Sequence, residues 1–400
     1  MEWISYGFSL LMWFLAGYFG VAALYLFIFA LAGRKPLPYV EAKSATCSRF
    51  AVLIPAYKED AVILNTAQEA RNQNYPADRY DVVIIADSLK PETLAALQQL
   101  EVTVVRVAFA NSTKAKAINK AIDELPDHYD GVIVLDADNI MAPDFIEKIN
   151  NALHAGEVVV QGHRVARNEN TAFALLDAIS EEINNHIFRK GHRVLGLSAA
   201  LIGSGIGFEY RFHKEVMKKV KAVGGYDKEL ELRILKSGRR IAYVEDAYVF
   251  DEKVQNARTF DQQRRRWLAA QWHYFRHHLL DAFSHLLSRG NVDYMDKVVQ
   301  FIMPPRLLLL GCSLLLTPLS LLAADAHLFQ VWLAVPVISA LALLLATPDR
   351  FFNRRTLTAM ASLPHGFWLM FTALFKLRNV NKKFIHTEHS VTGKIPAQGR

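Results

Sequence analysis

Two carboxylates one residue apart, Asp136 and Asp138, end the apolar run Val-Ile-Val-Leu and give the strongest chemical signal in the sequence. At the carboxyl end of a strand such a pair presents hard oxygen ligands to one Mg²⁺ or Mn²⁺, an ion that keeps waters and bridges substrate phosphates. A cation held there would neutralise a departing diphosphate. Asp87 closes a second apolar run in an equivalent position, which favours a ligand site over a solvated turn. Downstream, Gln263-Arg264-Arg265-Arg266-Trp267 sets a guanidinium able to fork onto diphosphate oxygens beside an indole face on which a sugar ring can stack. The same stretch, with Trp272, His273, Tyr274 and Phe275, also suits a basic amphipathic helix at a membrane surface. Gly203-Ser204-Gly205 permits close backbone approach to an acceptor molecule. The histidines show no compact ligand spacing with cysteine, and neither His-Glu-x-x-His nor G-x-x-x-x-G-K-[ST] occurs. A His/Cys metal centre and a P-loop nucleotide hydrolase are therefore without support.

These residues need elements that hold them together, and the stretch from Ser48 to Leu280 supplies an α/β pattern. Short β-rich runs (Phe50 to Ile54, Asp81 to Ala86, Val102 to Val107, Val132 to Leu135, Val158 to Gln161) alternate with helix-like stretches such as Glu59 to Asn74 and Lys114 to Leu125. Runs bounded by turns and separated by amphipathic segments predict a largely parallel sheet with crossover helices. Ligands of such sheets gather beyond the carboxyl ends of the strands. Those ends carry Pro55 to Glu59, Asp87, and Asp136 with Asp138.

The ordered set Ile54-Pro55-Ala56-Tyr57-Lys58-Glu59, Asp87, Lys114 to Asn119, Asp136-Ala137-Asp138, Gly203-Ser204-Gly205, Asp227 and Gln263-x-x-Arg266-Trp267 resembles the family-2 inverting glycosyltransferases. It is most similar to their membrane-integrated polysaccharide synthases, the relatives of cellulose, chitin and hyaluronan synthases, over residues 50 to 272. The resemblance implies a GT-A (Rossmann-like) cytoplasmic domain with N- and C-terminal transmembrane helices. It implies that Ala56, Tyr57 and Glu59 hold the base and ribose of a UDP-sugar, that Asp87 contacts the uracil or ribose, and that Lys114 and Arg266 lie near the diphosphate. Asp138 becomes the direct ligand of Mg²⁺ or Mn²⁺ with Asp136 in support, and Asp227 the catalytic base, while Gly203, Ser204, Gly205 and Trp267 face the acceptor. One position departs from the family: Tyr226 stands where Glu or Thr precedes the aspartate, which keeps Glu229 and Glu231 open as alternative bases. Phe384 to His389 resembles the gating loop of cellulose synthases, with His386 and His389 in place of Val and Lys.

Composition fits a protein partly in and partly out of a bilayer. Of 400 residues 52% are hydrophobic and 21% charged, and the mean hydropathy of +0.11 is high for a wholly soluble chain. Trp3 to Ala32 holds 30 residues without a charge before Arg34-Lys35, which reads as a retained anchor with the following domain in the cytoplasm. Three further apolar stretches, Leu307 to Ala324, Ala326 to Pro348 and Thr356 to Phe375, pose a parity question: if all cross, the basic tail lands outside. The last, interrupted by Pro364, His365 and Gly366, is expected to be re-entrant or interfacial. The expected organisation is an anchor (1–33), a GT-A domain (48–255), amphipathic interfacial helices (256–298), membrane helices (299–377) and a cytoplasmic tail (378–400). Basic residues beside apolar segments account for the net charge of +7 as attraction to an anionic bilayer, without nucleic acid. Only Cys47 and Cys312 are present, so no disulfide framework exists. The expected activity is growth of a β-glycan, with single-sugar transfer to a lipid or a non-catalytic export partner as alternatives. The short membrane part points to a homo-oligomer or a partner for export, and control by a fused second-messenger module is not expected.

Overall fold

The computed structural model describes residues 2–37, 43–222, 224–253 and 257–375. The gating-loop-like stretch 384–389 lies outside them. In chain order the elements are α1 (Glu2–Ala32), β1 (Phe50–Tyr57), α2 (Ile63–Ala70), β2 (Tyr80–Asp87), α3 (Pro91–Gln99), β3 (Thr103–Val107), α4 (Lys114–Glu124), β4 (Gly131–Val134), β5 (Ile140–Met141) and α5 (Phe145–His154). There follow β6 (Val159–Ala166), α6 (Ala172–Asn184), a π-helical turn (Asn185–Gly191), α7 (His192–Val194), β7 (Ile206–Glu209), α8 (Tyr210–Met217), α9 (Tyr226–Lys236) and β8 (Ala242–Asp251). The chain continues as α10 (Ala257–Arg289), α11 (Val292–Gln300), α12 (Arg306–Leu319), α13 (Ala326–Ala346), α14 (Arg354–Met360) and α15 (Leu363–Leu374).

The sheet runs β3-β2-β1-β4-β7-β6-β8-β5. Pairs among β3, β2, β1 and β4 are parallel, as the spacing of the runs predicts. Beyond β4 the sheet is mixed: β7 is antiparallel to both β4 and β6, and β5 to β8. The largely parallel reading is corrected there, because Gly203 and Gly205 take φ of 83° and 63° and turn the chain before Ile206. Strand residues alternate between two cores, which is why the runs read as continuous apolar sequence. Ala51, Leu53, Val132 and Val134 face α4 and α9, whereas Phe50, Val52, Ile54 and Ile133 face α2 and α5.

Among the described residues three helices are long and apolar enough to cross a membrane: Tyr6–Ala32, Arg306–Ala323 and Ala326–Ala346. The fourth apolar stretch is broken into α14 and α15 with a bend of 42°, so the expected interruption is present, placed just before Pro364. Helix α1 packs along α13 through Ala16, Phe19, Ala23 and Leu26 against Trp332, Val335 and Ala342. Its last turn seats on the catalytic-domain side, where His186 Nε2 lies 2.8 Å from the Ala30 carbonyl and the Phe29 ring stacks 3.8 Å from that of His192.

Candidate active site

The first part of the site is a shelf at the ends of β1 and β2. Ala56 and Tyr57 sit in register with Ala86 and Asp87. The next residues, Lys58 and Ser88, both hold left-handed backbone with φ of 57° and 59°. Two non-glycine residues in that region side by side store strain, a mark of functional turns. Lys58 N donates to the Asp87 carbonyl at 3.1 Å and clips the turns together. The Asp87 carboxylate is buried and accepts from Ser88 Oγ at 3.0 Å. The Glu59 carbonyl accepts from Ile63 N at 3.0 Å and opens the turn into α2. Asp60 then ties this exit to α3 by accepting from Lys90 N at 2.8 Å and Thr93 Oγ1 at 2.6 Å.

The second part lies at the end of β4. Thr113 caps α4 by accepting from Lys116 N at 3.2 Å, which sets Lys114 at the first turn. Its ammonium donates both to Asp136 Oδ1 and, at 2.6 Å, to the Gly203 carbonyl. Asp136 N donates to Ser204 Oγ at 2.9 Å, and Thr66 Oγ1 donates to the Ala137 carbonyl at 2.6 Å. The Gln161 amide donates to the Ser204 and Gly205 carbonyls at 3.0 and 3.2 Å, and its oxygen accepts from Ile202 N at 3.1 Å. Ser204 is fully buried, and a Cβ on Gly205 would lie 2.7 Å from Val249 Cγ2. Ser204 and Gly205 therefore brace the acids from beneath, and of the four residues expected to face the acceptor Gly203 and Trp267 border the cavity described below. Among the described residues no cluster of three or more His, Cys, Asp or Glu could hold a metal ion. The donor set at this strand end is thus Asp136 and the buried Asp138. That set fits Mg²⁺ or Mn²⁺, which bind through one or two carboxylates and take the remaining ligands from water and phosphate.

Helix α9 brings the third part. Gly225, with φ of 68°, turns the chain into it, and the Tyr226 ring centroid stands 5.2 Å from Lys114 Nζ. The Tyr226 hydroxyl is buried without a hydrogen-bond partner among the described residues. Burial, with the charges of Asp136 and Asp227 behind it, raises its pKa. Asp227 borders the cavity, its carboxylate 3.5 Å from Lys228 Nζ. The alternative bases each hold partners of their own, and Glu231 also lines the cavity. Glu229 accepts from Lys221 N at 3.2 Å and Arg233 Nε at 2.8 Å. Glu231 is buried against Lys297 at 2.8 Å and accepts from Leu201 N at 3.3 Å.

Helix α10 closes the site. Arg264 donates to Asp177 at 2.9 Å and lies over the Trp267 ring at 4.4 Å from its centroid. Burial lowers the pKa of both Arg264 and Arg266. One residue group was not legible beforehand: Glu181 receives Arg164 at 2.8 Å and Arg189 at 3.1 Å, with Lys253 at 3.7 Å. Burial alone would raise the Glu181 carboxyl, but Arg164, Lys253 and Arg189 outweigh it and hold it well below the usual range. The available signal was Asp177 and Glu181 four apart in α6, hence on one face. A cavity of about 990 Å³ joins Lys114, Asp136, Gly203, Asp227, Arg266 and Trp267 to apolar residues of α12, α13 and α15. Ala56, Tyr57, Glu59, Asp87 and Asp138 are not among its lining residues, so Asp136 is the joint between the shelf and the cavity.

Residues 48–270 match the sequence profile of a family described as glycosyltransferase like family 2. The β-monoglucosyldiacylglycerol synthase of Synechocystis sp. is 26% identical over 273 residues, which are 65% of this chain and 55% of that protein. The probable glycosyltransferase YdaM of Bacillus subtilis is 25% identical over 237 residues, 55% of this chain and 54% of that one. The chain thus spans about half the length of these relatives. Among solved structures, the mannosyltransferase PcManGT from Pyrobaculum calidifontis, in complex with GDP-Man and Mn²⁺, superposes with a TM-score of 0.53 at 16% identity. It covers 84% of this chain and 96% of that chain, and the likeness establishes a shared GT-A-like fold.

Proposed function

The chain belongs to the family-2-like glycosyltransferases, and from that premise we propose that it is a membrane-embedded inverting enzyme moving a sugar from a UDP-sugar to an acceptor hydroxyl at the bilayer boundary. The observation that carries this reading is the single cavity running from Asp136 and Asp227 into the apolar space between α12, α13 and α15. Ala56, Tyr57, Glu59 and Asp87 form the shelf for base and ribose. Lys114 and Arg266 supply positive charge for the diphosphate. A divalent ion at Asp136 and Asp138 would add Lewis-acid neutralisation of the leaving group. In the reaction the acceptor oxygen bonds to the anomeric carbon as the bond from that carbon to the diphosphate oxygen breaks. The electron pair leaves with UDP, the acceptor proton passes to the Asp227 carboxylate, and the single displacement inverts the anomeric centre.

Of the two acceptors the sequence suggests, the apolar lining supports a lipid better than a growing glycan. A sugar chain needs hydrogen-bonding groups along its path, and the membrane end of this cavity offers Leu307, Leu310, Leu343, Leu344, Leu363 and Met370. The test is release of nucleotide diphosphate by the detergent-solubilised full chain with Mn²⁺ or Mg²⁺, over a panel of UDP-sugars and GDP-mannose. One UDP-sugar should be turned over, and Asp138→Ala should lower the rate at least ~10²-fold while the protein remains monodisperse. Near-normal turnover by the variant would remove the metal assignment. A single glycolipid product supports the lipid acceptor, whereas a ladder of oligomers restores the polysaccharide synthase.

A further inference from the structure

We propose that Arg306 forms a head-group subsite and that the lipid acceptor is an anionic amphiphile, with a phosphate-class oxyanion at Arg306 and its aliphatic tail in the chamber behind. This inference rests on the lipid-acceptor reading above. Arg306 begins α12 and lines the cavity where its polar and apolar parts meet. Among the other cavity cations, Lys114 faces Asp136, Arg164 and Arg189 face Glu181, Lys228 faces Asp227, Arg264 faces Asp177 and Lys297 faces Glu231. Arg306 instead donates through Nη2 to two neutral oxygens, the Ser180 carbonyl at 3.1 Å and Ser180 Oγ at 3.0 Å. Its Nη1 is buried and has no hydrogen-bond partner among the described residues.

A guanidinium so placed carries a full charge and an unused donor next to a water-poor wall, which is costly unless an anion arrives. Its planar fork matches two oxygens of a phosphate. Immediately behind it Leu307 and Leu310 on α12, Leu343 and Leu344 on α13, and Met360 and Met370 on the bent pair make an aliphatic lining. Charge and apolar surface are therefore complementary to the two ends of one amphiphile. Lys114, assigned above to the donor, binds Asp136 and lines the same cavity with Asp227.

The test is equilibrium binding to the full-length protein in a nonionic detergent. Hexadecyl phosphate and hexadecanol serve as probes, with inorganic phosphate and UDP as competitors. The expected result is at least ~10-fold tighter binding of the alkyl phosphate than of the alcohol, the ratio that one charge-assisted bond confers. Arg306→Gln should abolish that preference and Arg306→Lys should keep part of it. Equal binding of the two probes to wild type overturns the proposal, as does a preference that survives in Arg306→Gln. Should Arg306→Gln fail to fold, the wild-type preference and the Arg306→Lys value decide. Equal competition by inorganic phosphate would make the site a simple anion site, and competition by UDP would assign Arg306 to the donor; either result overturns the lipid. UDP binding on the same preparation separates the two readings. UDP bound without a probe preference sinks this inference alone, and a preference without UDP binding sinks the transferase reading while the oxyanion subsite stands.

Discussion

Three carboxylates open α9, and their partners separate them. Glu229 is held by Arg233 and a backbone amide. Asp227 and Glu231 both line the cavity, Glu231 buried against Lys297 at 2.8 Å and Asp227 3.5 Å from Lys228, which makes Asp227 the more available. Asp227→Asn should lower kcat ~10²- to 10⁴-fold, the range for a lost general base, with donor binding retained by calorimetric titration of UDP. A variant that loses UDP binding along with turnover would place Asp227 in the donor pocket instead. Tyr226 invites the converse experiment. Its hydroxyl is buried with no partner among the described residues, so Tyr226→Phe removes a desolvated group and should leave thermal stability equal or higher. A loss above ~1 kcal/mol would reveal a bond in the folded protein. At this scale residue type and order were informative in one respect: Asp136, Lys114, Asp227 and Arg266, picked out from the sequence, line one cavity. Ser204 and Gly205 were expected to face an acceptor, whereas the Ser204 hydroxyl serves an amide 68 positions away and the missing side chain of Gly205 makes room for Val249. Such partners follow from the turn between sheet strands and not from local spacing.

The elements explain which parts of the fold could be read early. Strands β1, β2 and β4 announce themselves because both faces are buried and their residues form nearly unbroken apolar runs. The four-residue β7 was not legible, and β8 was hidden by Glu245 and Asp246 in its middle. Between α6 and α7 the π-helical turn Asn185–Gly191 carries Arg189 into the core, and Gly191 lets α1 approach. A Cβ at Gly191 would fall 2.2 Å from the Phe29 carbonyl oxygen, a contact with backbone that cannot rotate away. Gly191→Ala should cost ~1–3 kcal/mol, seen as a lower midpoint of thermal unfolding in detergent. The Glu181 cluster on the same helical run sets an acid limit. Its carboxyl lies well below 4.5 in the folded protein, so the stabilisation is present above the unfolded value and disappears as pH falls through the folded one. Unfolding temperature should be flat from neutral pH to about 5 and fall below about 4.5. Glu181→Gln leaves Arg164 and Arg189 facing a neutral group and should cost ~3–5 kcal/mol at neutral pH. An unchanged midpoint in that variant would mean that the arginines find another partner.

For the whole molecule, the direction of the apolar helices relative to the catalytic domain is the deciding feature. Trp13 Nε1 donates to Asp325 at 3.1 Å, while further along both helices the Cβ position of Gly20 lies 3.9 Å from Val335 Cγ2. Helices α1 and α13 therefore run parallel, and both end at the domain. His186 meets the Ala30 carbonyl there, and Arg350 meets Glu182 at 3.0 Å. Helix α12 starts at the same face, with Arg306 on Ser180. Arg34, Lys35, Arg306, Arg350, Arg354 and Arg355 thus gather on the side of the domain, with Asp325 at the far end, a charge asymmetry along the apolar helices. In the bent pair α14 packs on α6 and α15 on α10 and α12, a geometry open to a broken span or a re-entrant element. A cysteine pair tests this assembly in native membranes. With Cys47 and Cys312 replaced, Gly20→Cys with Val335→Cys should cross-link rapidly under mild oxidation. Gly20→Cys with Leu344→Cys, displaced by nine residues or ~13 Å along the helix, should not. Both cysteines at positions 20 and 335 should also resist a charged maleimide until detergent is added, because they lie midway along their spans. Cross-linking of the displaced pair would mean that α1 and α13 cross in another register. Labelling in intact membranes would mean that these helices line an aqueous path, which is what a polysaccharide channel requires and a lipid-fed transferase does not.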